Sequence, residues 1–333
     1  MKLAVGIIGL GVGEAHIKGY ESYRGCEVVA LCDRLKEKRA AAKKKYPGMR
    51  ITENANDILD DPAIDVVSIA SYDNDHYAQV MRALAHNKHV FVEKPLCLRE
   101  KEARAIRKLH RSKGRLKISS NLILRKSPRF GRLKEMIQNG TMGELFHIEG
   151  DYNYGRFEKI TEGWRGKMGF YSVVYGGGVH IVDLMLWLTG GTVEEVSAYA
   201  NRIASRKTPF RYNDMVTCIL KFKSGMTGKM SVNFACVFPH FHNLSVYGTK
   251  ATFVNGKECG LLFTSRDSSA KPKKITDPYP GIHKGDLIYS FVNSIMNGAK
   301  SEVSGKDIFQ AMSVCFAIEK ATHTQGPVKV RYL

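Results

Sequence analysis

Short apolar runs alternate with helical stretches through the first 120 residues, and this alternation constrains the fold more than any other feature. The runs at residues 3–9, 27–32, 65–70 and 89–92 are strand-like, and a helical stretch follows each of them. Strands that alternate with helices are joined by right-handed crossovers, which produce a parallel sheet with helices on both faces. We therefore predict a doubly wound α/β domain over residues 1–120.

The pattern changes after about residue 120 to the two-residue alternation of half-buried strands. We predict such strands at residues 146–152, 193–199, 215–222, 228–235 and 244–247, with helices at 181–188 and 287–297. Strands of this kind, joined by turns, are typical of an open and largely antiparallel sheet. A second α/β domain is expected over residues 121–333.

The cysteines and the N-terminus indicate the compartment. Seven cysteines are scattered without a C-x-x-C pair, and a chain of 333 residues can bury a core without disulfides or a metal. We expect reduced thiols, no metal site and a cytoplasmic protein. Glycines interrupt the N-terminal stretch MKLAVGIIGLGVG, and no run of 18 apolar residues follows, so neither export nor a membrane span is expected.

The net charge of +19 raises the question of an anionic partner. Residues 99–134 hold 14 Lys or Arg against only Glu100 and Glu102, but no nucleic-acid recognition motif accompanies them. A solvated helix face is the preferred interpretation, and no nucleic-acid partner is expected. The same charge would attract small anions such as dinucleotides or nucleotide-linked sugars.

A glycine-rich turn follows the first strand. Gly9, Gly11, Val12 and Gly13 stand between that strand and a helix, which is the context that a dinucleotide-binding turn requires. Glycines there allow the backbone to approach a pyrophosphate at the helix N-terminus. The spacing departs from G-x-G-x-x-G, since Glu14 stands where the third glycine is expected, and the alternative is an ordinary tight turn.

Asp33 ends the second strand about 20 residues further on. A carboxylate at this place accepts hydrogen bonds from the adenosine ribose and favours NAD, whereas the neighbouring Arg34 could accept the 2′-phosphate of NADP. The sequence leaves the choice between NAD and NADP open. The alternative role for Asp33 is that of a helix N-cap.

Polar residues also follow two later strands of the first domain. Ser71 and His76 come after the strand at 65–70, and Glu93-Lys94-Pro95 follows the strand at 89–92. Ligands of open parallel sheets bind at these carboxyl ends. We therefore expect all of these positions to lie near the cofactor.

These motifs, with Trp164-Arg165 and His180-x-x-Asp183-x-x-x-Trp187 in the second domain, resemble the Gfo/Idh/MocA family of NAD(P)-dependent oxidoreductases over nearly the whole chain. The resemblance implies an N-terminal Rossmann domain. It also implies that Lys94 lies between nicotinamide and substrate, and that His180 faces the reacting hydroxyl. An imidazole suits the role of base, and an ammonium group can stabilise a developing alkoxide or act as base.

The complete expected site follows from the motifs and the resemblance. Lys94 and His180 are the expected catalytic residues. The expected cofactor-binding residues are Gly9, Gly11, Val12, Gly13, Asp33, Arg34, Ser71, His76, Glu93, Lys94, Asn121 and Arg165. The expected substrate-binding residues are Lys94, Arg125, Trp164, Asp183 and His180.

One position departs from the family pattern. Relatives commonly carry an aspartate four residues before the histidine, and this chain has Gly176 there. Another group, Tyr171 or Tyr175, would then have to orient His180. The alternatives are that His180 is a buried structural residue, or that the protein is a dinucleotide-sensing regulator without turnover.

Two other segments hold aromatic rings or histidines. Tyr152, Tyr154 and Arg156 alternate as strand residues do, so some face the substrate side; the alternative is packing in the core or at a subunit interface. His240 and His242 have no partner at metal-site spacing, and we expect a surface loop there.

The expected activity is hydride transfer between NAD(P) and a hydroxyl or keto carbon of a sugar, cyclitol or nucleotide-linked sugar. The resemblance also implies a homodimer or homotetramer formed through the second domain's sheet. An enzyme that reduces a non-sugar substrate is the other alternative.

Overall fold

The computed structural model describes residues 2–333, which form two compact units. The first unit holds the chain up to Ile123, together with His283–Phe309 and Leu333. The second unit holds Leu124–Ile282 and Gln310–Tyr332. The sequence predicts one boundary near residue 120, whereas the chain returns to the first unit for a second segment.

The first unit is built on a six-stranded parallel sheet. Its strands are β1 (Leu3–Ile8), β2 (Cys26–Cys32), β3 (Arg50–Thr52), β4 (Val66–Ile69), β5 (His89–Val92) and β6 (Ile118–Ser120). They lie in the order β3-β2-β1-β4-β5-β6, and Val5 of β1 pairs with Val28 on one side and Val66 on the other. Because helices cover both faces, all four residues of β4 are buried. The prediction of a doubly wound parallel sheet is confirmed.

Five helices connect these strands. They are α1 (Glu14–Glu21), α2 (Lys36–Lys45), α3 (Asn56–Leu59), α4 (His76–Ala85) and α5 (Glu100–Ser112). Each crossover brings the next strand in parallel, so the carboxyl ends of all six strands lie at one edge of the sheet. The turns that follow β1, β2, β4 and β5 therefore lie together at that edge.

The second unit contains a nine-stranded, mainly antiparallel sheet. Its strands are β7 (Leu145–Asn153), β8 (Val193–Asn201), β9 (Met215–Phe222), β10 (Thr227–Asn233), β11 (Phe241–Gly248), β12 (Thr252–Asn255), β13 (Gly260–Phe263), β14 (Lys273–Ile275) and β15 (Val328–Lys329). The order is β14-β13-β12-β11-β7-β10-β9-β8-β15, with β7 and β10 parallel and the other pairs antiparallel. The predicted largely antiparallel sheet is confirmed.

Helices cover one face of this sheet and leave the other face outward. The second unit holds α6 (Pro128–Gln138), α7 (Glu158–Thr161) and α8 (Val179–Thr189). Helix α8 packs on β7, where Gly150 leaves room for the side chains of Ile181 and Met185. Residues of β9 alternate between the two faces of the sheet: every second residue from Val216 to Phe222 is buried, whereas Ile219 faces outward.

Two further helices lie between β14 and β15 in the chain. Helix α9 (Ile288–Met296) packs on α1 and β5 of the first unit, with the Phe291 ring 5.6 Å from the Phe91 ring. This apolar contact explains why residues 283–309 belong to the first unit, a feature that no local pattern indicates. The division between the units falls within α10 (Gly305–Ala321). Within residues 2–333, no helix has the length and apolar character that a bilayer span requires.

Candidate active site

The turn after β1 approaches neighbouring backbone so closely that two of its residues have to be glycine. Gly9 has φ +90°, and a Cβ there would press on the Ala70 carbonyl. A Cβ at Gly13 would collide with the Gly9 carbonyl oxygen. At Gly11, by contrast, a Cβ would meet only the Lys38 Nζ atom, at 3.9 Å. The backbone around Gly11 and the half-exposed Val12 is therefore open to a ligand at the N-terminus of α1.

Asp33 is held beside this turn by two backbone donors. The Leu10 N–H donates to its Oδ2 atom at 2.7 Å, and the Leu35 N–H donates to its Oδ1 atom at 2.9 Å. The carboxylate is 8% exposed. Each oxygen retains a lone pair for a ribose hydroxyl, so the turn and Asp33 together fit the adenosine half of a dinucleotide.

Arg34 points across the sheet edge towards the segment after β4. Its guanidinium carbon lies 3.9 Å from the centroid of the Tyr72 ring, a cation–π contact. The Arg39 guanidinium donates to the carbonyl oxygens of Asp33 and Arg34. It therefore fixes the backbone that directly follows β2. Sequence reasoning missed Tyr72, because nothing local indicates which ring Arg34 reaches.

Ser71 and His76 are tied to the protein itself. The Ser71 hydroxyl donates to Gln79 at 2.8 Å. The fully buried His76 ring has Nδ1 2.7 Å from the Pro95 carbonyl oxygen and Nε2 3.2 Å from the Ser71 carbonyl oxygen. His76 therefore links the segment after β4 to the Glu93-Lys94-Pro95 segment after β5, and its own ring nitrogens face backbone.

Glu93 is the anchored member of that segment. Asn121 Nδ2 donates to its Oε1 atom at 2.6 Å, and His16 Nε2 lies 3.2 Å from the same oxygen. Burial raises the pKa of this carboxyl, but His16, Lys284 and Lys94 oppose burial and hold the pKa well below its ordinary value. Glu93 is therefore an ionised carboxylate that fixes the backbone from which the half-buried Lys94 projects.

Asn121 belongs to the same buried network. Its amide nitrogen also donates to the Lys284 carbonyl oxygen at 3.1 Å, and the side chain is fully buried. The His16 ring contacts Ser68 Oγ through Nδ1 at 2.9 Å. The network thus joins α1, β4, β5 and the segment after β6, and sequence reasoning missed His16 and Lys284 because they lie far away along the chain.

In the second unit, Arg125 and Asp183 form a buried bidentate ion pair. Arg125 Nε donates to Oδ2 at 2.9 Å and Nη2 donates to Oδ1 at 2.6 Å, while both residues are less than 10% exposed. Such a fork fixes both groups in one plane. The sequence predicts the two residues as separate substrate contacts, and the structure joins them.

His180 lies on α8, one residue into the helix and 6% exposed. The Tyr152 ring is nearly parallel to the imidazole, with centroids 6.1 Å apart. A π-helical segment, Val174–Gly178, precedes the helix, and Gly176 lies within it. The Tyr171 hydroxyl occupies the space that a side chain at 176 would fill.

The remaining predicted residues form a short turn. Trp164 and Arg165 lie in the 3₁₀ turn Trp164–Lys167, with the Arg165 guanidinium carbon 4.5 Å from the Trp164 ring centroid. Both side chains are half-buried.

The expectation of a surface loop at His240 and His242 is wrong for His242. Strand β11 begins at Phe241, and His242 is 5% exposed. Tyr279 Oη lies 2.6 Å from its Nδ1 atom and accepts its backbone N–H at 2.9 Å. A residue 37 positions later along the chain covers the histidine, which a local pattern does not reveal. Among residues 2–333, no three His, Cys, Asp or Glu side chains meet as a metal site would require.

Comparison with known proteins identifies the family. Residues 3–121 match the oxidoreductase family with an NAD-binding Rossmann fold, and residues 130–254 match the GFO/IDH/MocA C-terminal domain. The myo-inositol 2-dehydrogenase of Thermotoga maritima is 23% identical over 342 residues, which cover 98% of each chain. The inositol 2-dehydrogenase of Salmonella typhimurium is 26% identical over 75% of this chain and 73% of its own.

Solved structures share the fold over the full length. Levoglucosan dehydrogenase in complex with NADH superposes with a TM-score of 0.88 at 20% identity, and both chains are covered completely. An NAD-binding oxidoreductase from Klebsiella pneumoniae gives a TM-score of 0.87 at 22% identity, again with complete coverage. The two family matches agree with the open glycine turn and the anchored Asp33: this chain belongs to the GFO/IDH/MocA family and is an NAD-dependent oxidoreductase.

Proposed function

We propose that this enzyme transfers a hydride between NAD and a secondary alcohol, or the corresponding ketone, of a sugar, a cyclitol or a nucleotide-linked sugar. The observation that carries the proposal is the position of Lys94. It follows an anchored, ionised Glu93 at the carboxyl end of β5, at the same sheet edge as the glycine turn and Asp33. An ammonium group carried on the backbone that Glu93 anchors is suited to chemistry beside a dinucleotide.

Different residues of the first unit would bind different parts of the cofactor. The backbone N–H groups of Gly9–Gly13 would donate to the pyrophosphate at the start of α1. The Asp33 carboxylate would accept hydrogen bonds from the ribose hydroxyls. When bound, NAD supplies the acceptor for the hydride that leaves the alcohol carbon. His76 and Glu93 support the segments that carry Ser71 and Lys94.

Lys94 and His180 are the proposed catalytic residues. His180 takes the proton of the reacting hydroxyl, since an imidazole titrates near neutral pH. The Lys94 ammonium group stabilises the negative charge that develops on the substrate oxygen. Arg165 and Trp164 are proposed to border the nicotinamide and the substrate, respectively.

Asp183 is proposed to accept substrate hydroxyl groups adjacent to the reacting one. The bidentate contact with Arg125 gives each carboxylate oxygen one guanidinium donor and holds the group in a single plane. The same contact fixes the carboxylate in position, so a hydroxyl that donates to it is oriented with little loss of side-chain freedom.

The second unit is also proposed to form a homodimer or homotetramer. The outer face of its sheet carries exposed apolar side chains, among them Tyr199 and Ile219. Exposed apolar groups on an uncovered sheet favour contact with another protein surface. This chain resembles a myo-inositol 2-dehydrogenase and a levoglucosan dehydrogenase, which supports a sugar-like substrate.

The test is turnover by the purified protein with NAD and a panel of neutral polyols, sugar phosphates and UDP-sugars, followed by reduced-nicotinamide absorbance. We expect one class to be oxidised, and Lys94→Ala to lower kcat by about 10²- to 10⁴-fold. Exposed Lys101→Ala is the matched control and should retain wild-type kcat. Lack of turnover with every class, although NAD binds, would contradict the proposal.

A further inference from the structure

A π-helical turn directly precedes helix α8, which carries His180. The turn spans Val174–Gly178, and the Val179 N–H donates to the Val174 carbonyl oxygen, five residues earlier in the chain. Such turns are rare and occur frequently at functional sites. Each holds one residue more than an α-helical turn, so its conversion to α geometry would rotate one flanking segment relative to the other by about 100°. The direction of the His180 side chain therefore depends on the form of this turn.

Ser172 caps the start of the π turn. Its Oγ atom accepts the N–H groups of Val174 and Tyr175 at 3.2 and 3.4 Å, as the side chain of an N-capping serine does. The same hydroxyl donates to Glu319 Oε2 at 2.5 Å. A hydroxyl has one donor and two lone pairs, so the buried Ser172 side chain uses all three. Glu319 thus fixes the rotation of the hydroxyl that caps the turn.

Helix α10 contacts the turn through two side chains. Glu319 bonds to Ser172, and the Phe316 ring packs edge-on against the Tyr175 ring, with centroids 5.5 Å apart. Residues three positions apart lie on the same face of a helix, so one face of α10 makes both contacts. The other carboxylate oxygen of Glu319 lies 3.8 Å from Nε2 of the exposed His323.

The sheet also packs closely against the turn. A Cβ atom at Gly177 would lie 2.6 Å from Tyr152 Cε1, and one at Gly178 would lie 2.7 Å from Val232 Cγ2. These contacts with β7 and β10 limit how far the turn can move. The contact with Ser172 is directional, since it acts on the first N–H groups of the turn.

We propose that Ser172 and Glu319 are positioning residues for His180. Their contact holds Val174–Gly178 in its π-helical form, and this form directs the imidazole towards the reacting hydroxyl. The inference rests on the proposed function, since that proposal makes His180 the base.

The use of a carboxylate from a distant helix supports this role. A serine can cap a helix without such a partner, whereas Ser172 donates to a residue 147 positions later in the chain. Burial raises the pKa of the Glu319 carboxyl, and the Ser172 hydroxyl and His323 act in the opposite direction. Buried groups with a perturbed pKa are concentrated at functional sites.

The test compares Ser172→Ala and Glu319→Leu, which break the contact, with Ser172→Thr and Glu319→Gln, which keep a hydroxyl and an acceptor. We measure kcat with NAD and the alcohol of the substrate panel that the wild type oxidises fastest. Both disruptive variants should lower kcat about five- to tenfold, the effect of one hydrogen bond, and both conservative variants should recover most of it. The Kd for NAD should not change, because the glycine turn and Asp33 lie in the first unit.

Ser304→Ala is the matched control. It removes a hydroxyl that donates to Asp307 Oδ2 and accepts the Asp307 N–H at the start of α10, in the first unit. This contact has the same chemistry as the contact of Ser172. We expect a comparable decrease in Tm in Ser304→Ala and a kcat equal to that of the wild type.

Each outcome can be attributed. Wild-type kcat in Ser172→Ala and Glu319→Leu would overturn the inference, as would an equal loss of kcat in Ser304→Ala, and the dehydrogenase proposal would still stand. If the wild type oxidises no alcohol, the proposed function fails, and crystal structures of the two disruptive variants decide the inference. The hydrogen bond from the Val179 N–H to the Val174 carbonyl oxygen should be absent from both. Its presence in either variant would show that the contact does not hold the turn.

Discussion

The Tyr171 hydroxyl lies where a side chain at Gly176 would have to be, one turn before His180. Tyr171 is 1% exposed and packs edge-on against Phe210 and Phe234, so the ring has little freedom to move aside. A phenol therefore occupies the space beside the backbone of residue 176. Gly176 is required by packing at this position.

Substitution of Gly176 tests this packing. We expect Gly176→Ala to lower the free energy of unfolding by about 1–3 kcal/mol, because the new methyl group overlaps the Tyr171 phenol. Gly131→Ala in α6 is the control, since no atom lies within 4 Å of its Cβ position, and it should stabilise the protein by about 0.5–1 kcal/mol. Denaturant unfolding measures both, and equal stabilities would contradict the prediction.

Removal of the Tyr171 hydroxyl tests whether this group orients His180. If the phenol orients the imidazole through one hydrogen bond, Tyr171→Phe should lower kcat/KM about fivefold and shift the pH–rate profile. Tyr175→Phe is the comparison, because the Tyr175 ring packs against Phe170 and Phe316. If the Tyr175 variant alone shifts the profile, Tyr175 holds the orienting role.

Asp33 is expected to control the choice of dinucleotide. Asp33→Ser removes the carboxylate that would accept the ribose hydroxyls and repel a 2′-phosphate, so the preference for NAD over NADP should fall by about tenfold or more. Fluorescence titration with both cofactors measures this ratio. Asp267→Ser, on an exposed turn, should leave it unchanged. An unaltered ratio in Asp33→Ser would refute the assignment.

His89, at the start of β5, is expected to make stability depend on pH. Burial lowers its pKa from 6.5 to about 4, and its Nδ1 atom accepts the Lys117 N–H at 2.9 Å. Between these values the unfolded chain binds a proton that the folded chain does not, so the free energy of unfolding falls as pH drops from 6.5 to 4.

We expect this residue to account for about 1–3 kcal/mol of the decrease. Denaturant unfolding at several pH values should show a flatter profile for His89→Gln than for the wild type. The exposed His283→Gln variant should keep the wild-type slope. The same slope in His89→Gln would show that other groups cause the dependence.

Ile219 on the outer sheet face is expected to contribute to self-association. Replacement by Lys places a charge on an apolar position that is 53% exposed in a single chain, so the oligomer should dissociate to monomers. Light scattering after gel filtration measures the mass. Lys221→Arg, on the same strand, preserves charge and should keep the wild-type mass. A monomeric wild type would exclude the proposed oligomer.

Much of the candidate site could be predicted from the sequence because its motifs are local. The strand–turn–helix context of Gly9–Gly13, the aspartate that ends the second strand and the residues after the fifth strand follow from short-range patterns. The family resemblance drawn from them is confirmed, as is the division into a parallel and a largely antiparallel sheet. Backbone propensity and hydrophobic periodicity act within a few residues, so the sequence reveals them directly.

The tertiary structure alone decided which side chains meet. Asn121 and His16 converge on Glu93 across 28 and 77 residues, and Arg125 pairs with Asp183 across 58. The burial of His242 depends on Tyr279, and the return of residues 283–309 to the first unit depends on apolar packing. Such contacts form only when the whole chain has folded, because each joins segments that no local pattern relates. The sequence by itself therefore determined the elements and their motifs, whereas the tertiary structure determined the partners of the functional groups.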